Sequence, residues 1–122
     1  MEYKPTKNMR DVTKDELIAL GEHECRHNFY LRVIIHKLFL DENDDKTEFK
    51  ITIPKEVEDN QKIRDAARIL ASYGFYVFVY QGKYNVFGNG EVEFEVWVPV
   101  GDMKWFLKDA SGRSFWKDII AI

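Results

Sequence analysis

The alternation of residues 91–98 constrains the fold more than any other feature of the sequence. Even positions are apolar and odd positions carry three glutamates and a tryptophan: Val92, Phe94, Val96 and Val98 against Glu91, Glu93, Glu95 and Trp97. Because successive side chains of a strand point to opposite faces of a sheet, this pattern predicts a strand with one buried face and one solvent face, ended by Pro99. A slip of one residue would bury every glutamate, so its pairing is tightly specified.

A second alternating stretch and a helix precede this strand. Residues 47–53 place Phe49, Ile51 and Ile53 on one face, and Pro54 is expected to end the strand. Asp59 or Asn60 can then cap a helix that stops at Gly74. Residues 75–80 follow as an apolar strand, so the three elements predict a right-handed crossover with parallel strands.

The first forty residues allow two interpretations. Thr13 and Glu16 have the spacing of a capping box, which predicts a first helix from about residue 14 to 25 or 27. Residues 29–40 have apolar side chains all round a helical wheel and the β-branched run Val33–Ile35, which favours a strand covered on both faces. This strand would form a hairpin with residues 47–53. The alternative is that the first helix continues to Leu40.

The complete order of elements is predicted to be α-β-β-α-β-β-β-α. Turn signals at 81–83 and 88–90 bracket a short strand at 84–87, and short helices are expected at 102–107 and near Ser114. We therefore expect one α+β domain over residues 13–122, preceded by an N-terminal arm at 1–12. Its sheet would be mixed but mostly antiparallel, with about five strands and with helices mainly on one face.

Charge and composition narrow the classes of function. The chain has 122 residues, a formal net charge of −3 and no long basic run, which disfavours a general nucleic-acid binder. Its one cysteine, Cys25, excludes an intrachain disulfide and fits a reducing cytoplasm. The polar N-terminus is not a secretory signal, and no apolar run approaches the ~20 residues that span a bilayer. We expect a cytoplasmic protein that does not enter a membrane.

Residues 23–27 spell His-Glu-Cys-Arg-His, a string that can bind zinc. On a helix, His23 and His27 would lie one turn apart on the same side, where both imidazoles can reach one ion. Glu24 would then serve as the general base for a zinc-bound water. The helical wheel places Glu24 within the apolar arc of the first helix, which favours a function for this carboxylate or a helix that frays before it.

The string resembles the zinc motif of the zincin metalloproteases over these five residues. The resemblance implies zinc bound by His23 and His27, and in the version with a glutamate ligand it implies Glu48 as the third ligand. Arg26 departs from the family pattern, which has uncharged residues there, and the later histidine of the metzincin type is replaced by Val33.

Two further strand faces are candidates for binding. Glu91, Glu93, Glu95 and Trp97 form an acidic face with an aromatic end, suited to a basic protein surface. Tyr76, Phe78 and Tyr80 share one face of their strand, an arrangement on which bases of single-stranded nucleic acid could stack.

These observations favour a small, cytoplasmic, non-catalytic domain that binds another protein with a basic surface and needs no cofactor. Adaptors and inhibitors encoded by phages and mobile elements often have this size and composition. The alternative is a zinc-dependent hydrolase using residues 23–27, and the third interpretation is a single-stranded nucleic-acid binder using the face of Tyr76, Phe78 and Tyr80.

Overall fold

A computed structural model describes residues 1–8, 11–38, 46–56, 58–81 and 90–98. Its strands are β1 (Glu2–Tyr3), β2 (Glu48–Lys55), β3 (Tyr76–Gln81) and β4 (Gly90–Trp97). Helix α1 comprises Lys14–Ala19, a π-helical segment Leu20–Glu24 and a last turn Cys25–His27. Helices α2 and α3 are Phe29–Leu38 and Asn60–Ser72.

Strand β4 lies inside the sheet, whose order is β1-β3-β4-β2. It pairs antiparallel with β2 along its whole length and antiparallel with β3 on its other side. Its even residues Val92, Phe94 and Val96 are buried, and its odd residues are partly or fully exposed. The predicted half-buried strand is confirmed, and every pairing among the described strands is antiparallel.

One face of the sheet and the three described helices form a single core. The cluster joins Phe49, Ile51, Phe94 and Val96 of the sheet to side chains from all three helices, such as Leu31 of α2. We call this side of the sheet the inner face and the opposite side the outer face. The described chain is thus a small α+β domain with a four-stranded sheet, and the prediction of about five strands is not confirmed.

The predicted crossover from β2 through α3 to β3 is present with one change. Because both strands are antiparallel to β4, they run in the same direction. They do not pair, however, since β4 lies between them. The central position covers both edges of β4.

Residues 29–38 form a helix, so the prediction of a strand there is wrong. The buried residues follow helical spacing: Tyr30, Leu31, Ile34, Ile35 and Leu38. Burial of this stripe outweighs the weak strand preference of the β-branched run. The hairpin predicted with residues 47–53 is therefore absent.

Asn28 separates α1 from α2, so the alternative of one continuous helix is right about the helical conformation of residues 29–38 and wrong about its continuity. Its backbone is extended, with φ −137° and ψ 103°. Its side-chain oxygen accepts from the Leu31 amide at 3.2 Å, which makes it the N-cap of α2. Its amide nitrogen donates to the Lys62 carbonyl of α3 at 2.8 Å. One buried side chain thus starts α2 and connects it to α3.

The predicted start of α1 is confirmed, and both halves of its capping box are present. The Glu16 amide donates to Thr13 Oγ1 at 3.2 Å, as an N-cap requires. The Glu16 carboxylate reaches back to the Thr13 backbone amide, as the capping box requires, and it also accepts from Lys7 Nζ. The hydrogen bond from Lys7 lowers the pKa of Glu16.

The first residues belong to the sheet, although the sequence indicated only an arm at 1–12. The Met1 α-amino group donates to the Val79 carbonyl at 2.8 Å, and the Val79 amide donates to the Met1 carbonyl at 2.8 Å. Glu2 and Tyr3 continue this ladder along β3. The strand predicted at 84–87 and the helices predicted at 102–107 and near Ser114 lie outside the described residues.

Replacing Asn28 by alanine should lower the free energy of unfolding by about 1–3 kcal/mol. The substitution removes the cap of α2 and the side-chain hydrogen bond that connects it to the Lys62 carbonyl of α3. Asn28→Ser restores a capping oxygen and should recover part of the loss. Urea denaturation followed by circular dichroism measures both.

Asn60→Ala is the matched control, because this asparagine is exposed at the start of α3 and its side chain accepts an exposed hydrogen bond from Lys55 at 3.3 Å instead of capping the helix. We expect it to change the unfolding free energy by less than about 0.5 kcal/mol. An Asn28→Ala protein as stable as this control would show that the cap does not support the fold.

Candidate protein-binding face

The register of β3 against β4 brings the two predicted binding faces together on the outer face. Tyr76 lies opposite Trp97, Phe78 opposite Glu95, and Tyr80 opposite Glu93. Adjacent strands are about 4.8 Å apart, so rings from β3 stand directly beside the carboxylates of β4. The sequence suggested two separate sites, whereas the structure shows one surface.

The aromatic side chains of this surface are well exposed. Tyr76 and Tyr80 are each 44% exposed and Trp97 is 42% exposed. All three described helices pack on the inner face, so none of them covers these rings. Large aromatic side chains grouped on one exposed face are typical of a binding surface.

Glu95 organises the centre of the outer face. Its carboxylate accepts from the indole Nε1 of Trp97 at 2.8 Å and from the Tyr80 hydroxyl. Partial burial raises the pKa of Tyr80, and the negative charges of Glu95 and Glu93 raise it further. Two rings are therefore held in place by one acid.

The remaining charges of the outer face are almost all negative. Glu2 lies opposite Phe78, Glu48 opposite Trp97, and Lys50 opposite Glu95. Lys50 is the only base that the described strands place on this face. Glu2 and Glu48 extend the acidic surface beyond β4. The sequence signal for Glu48 on the outer face was the alternation along this strand, which places Glu48 on the same side as Lys50 and Thr52.

The π-helical segment changes the position of Glu24 on α1. The Cys25 amide donates to the Leu20 carbonyl, a bond over five residues instead of four. The extra residue per turn puts Cys25 beneath Leu20, where an uninterrupted α-helix would put Glu24. Cys25 and Leu20 are buried and Glu24 is exposed. The expectation that Glu24 lies within the apolar arc is therefore wrong.

His23 and His27 are both exposed, on the two sides of the junction between π-helix and α-helix. The Nδ1 atom of His27 is 2.7 Å from the His23 carbonyl oxygen, so it donates in the corresponding tautomer. His27 also borders an open cleft of about 510 Å³ between α1 and α3, lined by Glu24, His27, Asn28, Lys62, Asp65, Arg68, Ile69 and Ser72.

The third predicted zinc ligand does not join the two histidines. Glu48 lies on the outer face of the sheet, and α1 packs against the inner face. Within the described ranges, no three His, Cys, Asp or Glu side chains form a group that could hold a metal ion. Zinc binding by His23 and His27 stays a prediction.

Cys25 is fully buried. Burial raises the pKa of its thiol to about 12, and the charge of Glu24 adds to this effect. A thiol with so high a pKa is almost entirely protonated at neutral pH, so Cys25 acts as a small apolar core residue.

No family model matches the chain, and neither a curated protein nor a solved structure does. None of the described helices is both long and apolar enough to cross a membrane. The outer face is therefore the feature from which a function can be argued.

Replacing Glu95 by glutamine should lower the pKa of Tyr80, because it removes the nearest negative charge. In the wild type this pKa should exceed the ordinary value of 10.0. Because the pKa of Tyr80 is higher in the folded state than in the unfolded state, the associated stability is fully present at a pH below the unfolded-state pKa. This stability is lost as the pH rises through the folded-state pKa. NMR titration of tyrosines labelled at ¹³Cζ measures the shift, with Tyr80→Phe to assign the signal.

Glu91→Gln removes an equal charge from the same face of β4, but Glu91 is not among the groups that raise the Tyr80 pKa. This control should leave the titration almost unchanged. Equal effects of the two substitutions would contradict the contact between Glu95 and Tyr80.

Proposed function

We propose that the chain is a non-catalytic domain whose outer face binds a basic surface of another protein. The observation that carries this proposal is the mixture of exposed rings and carboxylates on one face, with Tyr76, Tyr80 and Trp97 beside Glu93 and Glu95. Interfaces are enriched in tyrosine and tryptophan, and the acids select partners that carry lysine or arginine.

The geometry suits an arginine or lysine of the partner. A guanidinium placed over Tyr80 or Trp97 would gain a cation–π interaction and would lie within reach of Glu93 or Glu95. The hydrogen bonds to Glu95 already restrict both rings. Little side-chain freedom would then be lost on binding, which favours affinity.

The same charges argue against single-stranded nucleic acid as the ligand. Tyr76, Phe78 and Tyr80 do share the outer face, as stacking on bases would require. Nucleic-acid grooves, however, surround their rings with lysine and arginine, because phosphate contacts dominate affinity. Here the strand beside the rings carries glutamates, so a cationic protein surface is the better ligand.

The wider biological role belongs to the same proposal. The small size and the acidic aromatic face support an adaptor or inhibitor of the kind that phages and mobile elements encode. The single cysteine supports a cytoplasmic location. The zinc-dependent hydrolase remains the alternative prediction.

A display selection with a random dodecapeptide library tests the ligand class. We expect the wild-type protein to enrich sequences rich in arginine and lysine. The double variant E93K/E95K should bind the selected peptides at least about tenfold more weakly, because the acids that attract them become bases. Fluorescence polarisation with labelled peptides measures the dissociation constants.

E22K/E58K is the matched control, since it makes the same change of net charge at two exposed glutamates outside the sheet. It should retain nearly full affinity, whereas Trp97→Ala should lose affinity without any change of charge. Selected peptides with no excess of basic residues, or equal losses in the two double variants, would contradict the proposal.

A further inference from the structure

The outer edge of β2 is the longest free edge of the described sheet. Strand order puts β1 at one end and β2 at the other. β1 has two residues, whereas β2 has eight. An unpaired edge of this length presents backbone N–H and C=O groups that readily accept another strand.

The ladder with β4 determines which backbone groups of β2 point to the free edge. The Val98 amide donates to the Thr47 carbonyl at 2.8 Å, next to the pair of Glu48 with Trp97. Because hydrogen-bonded pairs alternate along an antiparallel ladder, the odd residues of β2 bond to β4. The even residues direct their backbone polar groups toward the free edge: Glu48, Lys50, Thr52 and Pro54. Pro54 contributes only a C=O group, because proline has no N–H.

We propose that a second copy of this chain occupies the edge, with the two β2 strands antiparallel about a two-fold axis. Outward groups can bond only where even residues face even residues. An axis through Glu48 would place two glutamates opposite each other, and an axis through Lys50 would place two lysines opposite each other. Like charges directly opposite are destabilising, so neither register is favoured.

An axis through Phe49 satisfies both the hydrogen bonds and the charges. Glu48 of each copy then lies opposite Lys50 of the other, which forms two pairs of opposite charge. An axis through Ile51 would place Lys50 opposite Thr52 and Glu48 opposite Pro54, with no charge pair and with one N–H donor fewer in each copy. The register through Phe49 is the one that these side chains select.

The two charged residues are available for this pairing. Glu48 and Lys50 are both exposed, and within the described part of the chain neither forms an ion pair. In the dimer Lys50 would lie between Glu95 of its own β4 and Glu48 of the second copy. The two outer faces would lie on the same side of one continuous sheet, so a basic partner could engage both at once.

Sedimentation velocity of the full chain, from micromolar to millimolar concentration, tests the proposal. The wild type should form a reversible dimer. Lys50→Glu and Glu48→Lys should each weaken it roughly tenfold or more, since both create like-charge pairs. The double variant E48K/K50E restores opposite charges across the axis and should recover dimerisation.

Lys55→Glu controls for net charge, because Lys55 lies on the same strand but outside the paired stretch. It should leave the dimer intact. If E48K/K50E folds poorly by circular dichroism, Lys50→Gln decides instead, and it should weaken the dimer less than Lys50→Glu.

Three results would overturn the proposal: a wild type that stays monomeric throughout, equal losses from Lys50→Glu and Lys55→Glu, or a folded E48K/K50E that fails to dimerise. Loss of the dimer in Trp97→Ala, with Lys50→Glu unaffected, would show that the copies pair through their outer faces instead. Peptide binding by the outer face is a separate measurement, so failure of the dimer leaves the proposed function standing.

Discussion

The pairing of β4 on both sides is the constraint on which the rest of the structure depends. Its inner residues supply the centre of the core, with Phe94 and Val96 fully buried. Its outer residues carry the acids and Trp97. Because side chains alternate strictly along a strand, one choice of register fixes both surfaces together. A strand that is central and half-buried thus determines where the helices pack and what the opposite face presents.

Elements with a clear hydrophobic periodicity were predicted correctly from the sequence. One helix was missed, because its residues also have a high intrinsic preference for strands. The alternation in β4 and β2 and the stripe of α3 identified their type and nearly their bounds. Helix α2 was missed because Val33, Ile34 and Ile35 favour a strand locally, whereas burial of one side of successive turns favours a helix. Asn28 was the available signal, since an asparagine before an apolar run is a typical N-cap.

Both groups of residues in the candidate site were named from the sequence, but the sequence did not indicate that they form one surface. The acids of β4 and the rings of β3 could each be read as one face of a strand. Their proximity depends on which strands pair, and pairing is set by long-range packing that local patterns do not contain. The position of Glu24 was mispredicted for a related reason, because the π-helical segment Leu20–Glu24 rotates the rest of α1 relative to its start.

Pro54 shows how one residue can report its place in a sheet. The sequence indicated that it ends β2, yet the strand continues to Lys55. Proline at an odd position, such as that of Ile53, would remove a hydrogen bond to β4, and its ring would disturb the ladder. At an even position its missing N–H faces away from β4, so nothing within the described sheet is lost. A proline that replaces one of the polar residues of an alternating strand therefore indicates an edge strand, and it does not have to end the strand. In β2 it also limits how far a further strand could pair along the free edge.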